Sequence, residues 1–162
     1  MSTTKGNAGE HLVMAELLDR EFDAYWADRG NPAFDIACFW NDTGRSTRLR
    51  VKTTSNGAAV WTARKAGLFL EMQPKDDFVV ICNIKGGIRN AHCYIVPTPT
   101  VEQHLVRNHE LYCSLPGRNG AKRSAEATIR VLRFGGQDRA DNPSYGYQDK
   151  FAEFREAWYL LR

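Results

Sequence analysis

The stretch Phe78-Val79-Val80-Ile81-Cys82-Asn83-Ile84 constrains the fold more than any other part of the chain. Every residue but Asn83 is apolar, and Lys85-Gly86-Gly87 ends the run with a turn signal. A segment this short and this uniform reads as a strand buried on both faces, because a strand with one wet face alternates apolar and polar residues. A sheet buried on both sides needs layers above and below it, so the expected class is α/β, a central mixed sheet flanked by helices.

The surrounding segments supply those layers. Gly9 to Phe22 reads as a helix with positions 10, 13, 14, 17, 18 and 21 on one face, made apolar by Val13, Met14, Leu17 and Leu18. Asn7 is its expected N-cap, and Glu10, three residues on, completes a capping-box spacing. Ala24 to Trp26 is a short extended piece, and a turn follows through Asp28, Arg29, Gly30, Asn31 and Pro32. Phe34 to Trp40 and Arg48 to Thr54 are strands separated by the turn signal Asn41-Asp42-Thr43-Gly44. A hairpin symmetric about Thr43 and Gly44 places position 40 opposite 47 and Asp35 opposite Lys52.

Further strands are expected at Ala59 to Ala63, His92 to Val96 and Thr128 to Phe134, and helices at Thr98 to Tyr112 and Asp149 to Leu161. Ser114 to Ser124 is a polar, basic loop, and Gly135 to Tyr147 is irregular. With no repeat and no linker, residues 1–162 are expected to form one domain. No apolar run reaches the ~18 residues that span a bilayer. The polar start, Met1 to Asn7, lacks the apolar stretch of a signal peptide, so a cytoplasmic location and no membrane partner are expected. Cys38, Cys82, Cys93 and Cys113 lie far apart without a CxxC pair, which favours buried free thiols over structural zinc. The four histidines show no HxxxH spacing and read as surface or half-buried residues.

A net charge of +3 and a pI near 8.7 permit a polyanionic partner without demanding one. The basic residues are clustered: Arg48 and Arg50 with Arg45 and Lys52, then Arg64 and Lys65, then Arg118, Lys122 and Arg123. Each cluster is either a solvated face or a set of phosphate contacts.

Three charged residues occupy costly positions. Glu10 lies on the apolar face of the first helix, Asp35 within a hydrophobic strand, and Lys52 on the strand beside it. A charge facing a core must be paired, capped or ligating. Two carboxylates and a lysine can hold Mg²⁺ and orient a water toward a phosphodiester; alternatively Asp35 and Lys52 are a cross-strand ion pair and Glu10 belongs to the cap.

Gly9-Glu10 opening a helix, Phe34-Asp35-Ile36-Ala37 as a strand and Val51-Lys52-Thr53-Thr54 on the next strand together resemble the PD-(D/E)XK, restriction-endonuclease-like, nuclease superfamily. The match covers about residues 5 to 55. The resemblance implies a metal-dependent DNA endonuclease, with Glu10, Asp35 and Lys52 catalytic, Glu10 and Asp35 holding Mg²⁺, and nucleic acid as partner; a homodimer stays open. One position departs. Two residues before Lys52, where the family carries an acid or glutamine, stands Arg50, which has five donors and no acceptor and cannot ligate a metal. Asp28 and Glu71 are candidates for another carboxylate that migrates in, and nothing in the sequence singles one out. The resemblance therefore implies either a metal-dependent endonuclease or a degenerate relative, with a non-catalytic nucleic-acid-binding module on the same fold, or a protein-interaction domain, as alternatives.

Overall fold

The computed structural model describes residues 3–28, 34–62, 77–126, 128–133 and 151–162. Arg64, Lys65 and Glu71 lie outside the described residues, as do Gly135 to Tyr147 and most of the turn that follows Asp28.

The chain begins with helix α1 (Thr3–Asp19). Strands β1 (Asp23–Trp26), β2 (Ile36–Trp40), β3 (Arg45–Thr54), β4 (Ala58–Thr62), β5 (Phe78–Asn83) and β6 (His92–Pro97) follow. Helix α2 (Thr98–Ser114) and β7 (Ile129–Arg133) come next, and two short 3₁₀ turns, Ala152–Phe154 and Trp158–Leu161, end the chain. Five strands form one sheet in the order β1-β2-β3-β5-β6, and β4 pairs with β7 in a separate ribbon. Only the β3–β5 pairing in the main sheet is parallel, so the sheet is mixed. The uniform apolar run is β5, every residue of it buried, as its composition requires.

Two cores sandwich this sheet. On one face Val13, Met14 and Leu17 of α1 pack on Ile36, Cys38, Leu49, Val51, Val80 and Ile95. On the other, Val79, Ile81 and Val96 meet Val101 and Leu105 of α2, Trp61 of β4 and Leu132 of β7. Cys38, Cys82 and Cys93 are buried free thiols, and burial pushes Cys38 up to about 12.

Three expectations are corrected. First, α1 starts at Thr3, so Asn7 is inside the helix and caps nothing, and Glu10 is an interior residue rather than part of a capping box. The inward stripe runs through Gly9, Val13 and Leu17, while Leu18 is 55% exposed. Gly9 is mid-helix because α1 lies directly on β3: a Cβ there would stand 1.9 Å from Thr53 Oγ1. Second, the hairpin pairs Trp40 with Arg45 and Ile36 with Leu49, two residues out of the expected register. The loop turns between Asp42 and Thr43, and Gly44 closes it with φ 67° and its N–H on the Trp40 carbonyl at 2.9 Å.

Third, the closing segment is not an amphipathic helix. Arg155 bridges to Tyr94, so the chain runs along the outer edge of β6. Glu156, at φ 54°, accepts the Cys93 N–H at Oε1 (2.6 Å) and the Trp158 Nε1–H at Oε2 (2.9 Å). These bonds satisfy an edge-strand donor that a helix would leave unpaired. Glu156→Ala should therefore lower the unfolding free energy by roughly 1–3 kcal/mol, read from denaturant melts, with Glu156→Gln in between because its amide nitrogen cannot accept.

Candidate functional site

Residues 48, 50 and 52 of β3 share one face because successive side chains alternate across a strand. That face is opposite α1, since their alternates Leu49 and Val51 pack on the helix. Toward β5 it is roofed by the second core, and Lys52 Nζ lies over the Trp61 ring at 5.2 Å.

Asp35 stands just before the paired part of β2, beside Arg50 rather than Lys52. Its N–H still reaches the Leu49 carbonyl at 2.8 Å. The Val51 N–H, which next points toward β2, is received by Asp35 Oδ2 at 2.7 Å. A side-chain oxygen thus replaces a main-chain carbonyl where β2 and β3 part, which holds the carboxylate in the fork, near the plane of the sheet. From there it is within reach of charges on both sheet faces. Arg50 Nε lies 4.0 Å from Asp35 Oδ2.

Glu10 approaches the same fork from the helix side. Burial pushes its carboxyl above the ordinary range, Asp35 pushes it further, and His11 and Arg50 partly offset them. The Lys52 amine is shifted down, first by burial and then by Arg50, with Asp35 opposing. Asp35 and Arg50 thus act both on Glu10, on the α1 side, and on Lys52, on the opposite face. Among the described residues no three His, Cys, Asp or Glu side chains converge as a metal site. Asp28 is exposed at the end of its described segment.

The other basic residues differ in availability. Arg48 closes a bidentate pair with Asp77, Nε to Oδ1 at 2.9 Å and Nη2 to Oδ2 at 2.5 Å, and lies 5.8 Å from the Phe34 ring. The Asp77 side chain is only 3% exposed, so the charge of Arg48 compensates a buried carboxylate. Nothing in the sequence pattern marked Asp77 as that partner. Lys122 is exposed, and Arg123 lies over Tyr112 at 4.2 Å, in the loop after α2. The side chain of Arg118 is outside the description.

Sequence reading missed two exposed aromatic side chains on the same sheet face as Arg48, Tyr25 and Phe39, whose rings meet edge to face at 5.9 Å. Their position at the charged face depends on the β1–β2 pairing.

No protein-family model and no curated protein matches the chain. Solved structures do. A bacterial homing endonuclease superposes with a TM-score of 0.55 at 15% identity, over 99% of this chain and 91% of that one. The Holliday junction resolvase Hjc of the archaeal hyperthermophile Archaeoglobus fulgidus has a TM-score of 0.45 at 16% identity, over 80% of this chain and 84% of that one. The likeness to the homing endonuclease, at this identity, bears on the fold alone, which is α/β of the restriction-endonuclease-like kind. No helix among the described residues is long and apolar enough to cross a membrane.

Proposed function

We propose that this chain is a degenerate relative of the metal-dependent DNA endonucleases: it grips the nucleic-acid backbone, with Arg50 supplying the positive charge that a metal would bring. The observation that carries the reading is Arg50 Nε at 4.0 Å from Asp35 Oδ2, with both charges acting on Glu10 and Lys52. A carboxylate that faces an arginine and also accepts a main-chain N–H does not fit Mg²⁺, which needs uncompensated oxygen donors. The donors of Arg50 and Lys52 suit a phosphodiester, since charge-assisted bonds to phosphate oxygens are short and strong. Lys122 and Arg123 are further backbone contacts in this reading, with Arg64, Lys65 and Arg118 completing the set named from the sequence; Arg48 is left to Asp77.

The unmodified protein should bind DNA with an affinity that falls as salt rises, and removing one true phosphate contact should reduce the log–log slope by roughly one unit. Mg²⁺ should neither raise its melting temperature nor bring about robust cleavage. Arg50→Glu replaces a repelling cation by an oxygen donor. At a hundredfold excess of Mg²⁺ over its Kd, the variant should gain about 2.7 kcal/mol, or roughly 5–10 °C in Tm. Robust Mg²⁺-dependent cleavage by the unmodified protein would overturn the reading of Arg50, and no DNA binding at low salt would overturn the reading as a whole.

A further inference from the structure

We propose that Cys82 and Cys93 are a redox-modification site: a small-molecule disulfide of the glutathione class converts the two buried thiols into a cross-strand disulfide that staples β5 to β6, and a thiol reductant restores them. The inference goes beyond the nucleic-acid reading and does not depend on it.

The two residues stand directly opposite each other in the antiparallel β5–β6 ladder, and their sulfurs are 3.3 Å apart. Both side chains project from the same face of the sheet, into the core under α1. Antiparallel pairs come in two kinds, and the main-chain hydrogen bonds tell which one this is. The Cys93 N–H donates to Glu156 Oε1 at 2.6 Å, and its carbonyl accepts the Glu156 N–H at 2.8 Å, so both groups point away from β5. Just past β5, the Ile84 N–H reaches the Thr54 carbonyl of β3 at 2.8 Å, and Cys82, two residues back, points its own N–H the same way. The pair is therefore a non-hydrogen-bonded one, the kind with α-carbons about 4.5 Å apart and side chains closest. A disulfide spans α-carbon separations of roughly 4.4–6.8 Å, so this backbone accepts the bond. The other two cysteines face no sulfur across a ladder: Cys38 is opposite Ala24 and Thr47, and Cys113 lies on α2 near His109.

Both thiols are sealed, Cys82 at 0% and Cys93 at 2% exposure. The hydrogen bond with Cys82, and then burial, push the Cys93 thiol above its ordinary range, so the closed molecule holds little reactive thiolate. Reaction therefore belongs to an open form. Glu156 of the closing segment holds the edge of β6, and Trp158 and Leu161 share the core of both cysteines. When that segment lifts, or while the chain is still folding, the thiolate of one cysteine attacks the small disulfide. A mixed disulfide forms and one small thiolate leaves. The second cysteine then attacks the protein sulfur of the mixed disulfide and expels the other small thiolate. Two protein S–H groups are oxidised, one small disulfide is reduced, and the two protons end on the two small thiols. The new bond closes a loop of about a dozen residues and so restricts the unfolded chain. Its cost is the weak Cys82 S–H donation to the Gly9 carbonyl at 3.7 Å, which a disulfide cannot make.

The test refolds the unmodified protein from urea in a mixture of oxidised and reduced glutathione, blocks the remaining free thiols and maps tryptic peptides by mass spectrometry. Refolding gives the oxidant access to both sulfurs, so burial cannot hide a pair able to bond. Lys85 and Arg89 lie between the two cysteines, so the bond appears as two linked peptides that part on reduction. The linked protein should melt roughly 5–10 °C higher than the same sample in reductant. Cys82→Ala should abolish that shift, whereas Cys113→Ala, at a thiol outside the ladder, should keep it. If Cys82→Ala does not fold, the peptide map and the two melts of the unmodified protein decide by themselves. Free thiols or unresolved mixed disulfides at Cys82 and Cys93 overturn the proposal, as does linkage of either one to Cys38 or Cys113. A Cys82–Cys93 link in a protein that melts no higher than the reduced form overturns it too, because the native sheet would then not hold the bond.

Discussion

Arg48→Ala should destabilise the fold by roughly 3–5 kcal/mol, the range for removing one partner of a buried ion pair. At this chain length that lowers Tm by roughly 6–20 °C. The size of the effect comes from Asp77. Its carboxylate is nearly sealed from water, at 3% side-chain exposure, and both its oxygens accept hydrogen bonds from the Arg48 guanidinium. Truncating the arginine leaves a buried charge without compensation, a larger loss than the net value of the pair. Asp77 directly precedes β5, and its carbonyl accepts the Thr98 N–H at the start of α2 at 3.0 Å. The pair therefore clamps β3 to β5 at the parallel junction and holds Arg50 and Lys52 in place. Arg48→Met with Asp77→Leu should recover most of the loss, because two apolar side chains leave no orphaned charge. Urea melts of the two single variants and the double variant complete the cycle; a double variant no more stable than Arg48→Ala would show that the ion pair is not the cause.

Gly9→Ala should also destabilise, by roughly 1–3 kcal/mol, although the same change in an isolated helix stabilises by roughly 1 kcal/mol. The new Cβ would lie 1.9 Å from Thr53 Oγ1 and 3.0 Å from Thr53 Cβ and Cγ2. Thr53 is buried and β-branched, so it has little freedom to turn away. The helix must lift from β3, carrying Glu10 away from Asp35 and Arg50. Thr53→Ala in the same chain removes the nearest clashing atom and should restore part of the stability. In the Arg50→Glu background, Gly9→Ala should weaken Mg²⁺ binding by displacing Glu10, an effect isothermal titration reads separately from the melt. A Gly9→Ala protein as stable as the original would show that α1 is free to move off the sheet.

The amino-acid sequence alone determined which segments are buried and which face each strand residue takes. The apolar run of β5 needed no tertiary information, because only a strand covered on both sides tolerates it. The alternation in β3 likewise placed Arg48, Arg50 and Lys52 together on one face. Register was decided elsewhere. A slip of two residues preserves every face, so periodicity cannot distinguish Asp35 beside Lys52 from Asp35 beside Arg50. The turn at Asn41–Gly44 and the capture of the Val51 N–H by Asp35 made that choice. Tertiary contact also overruled local preference at both ends of the chain. Gly9, a poor helix residue in isolation, sits inside α1 because only a glycine there lets the helix lie on Thr53. The closing segment has a helical pattern, yet β6 presents an unpaired Cys93 N–H that Glu156 satisfies only from a left-handed, non-helical backbone. The partner of Arg48 was likewise invisible, because an ion pair spanning 29 residues depends on the parallel pairing of β3 with β5. Local chemistry sets what each segment can become, whereas the site depends on contacts distant in sequence, whose energies are settled only when the layers close.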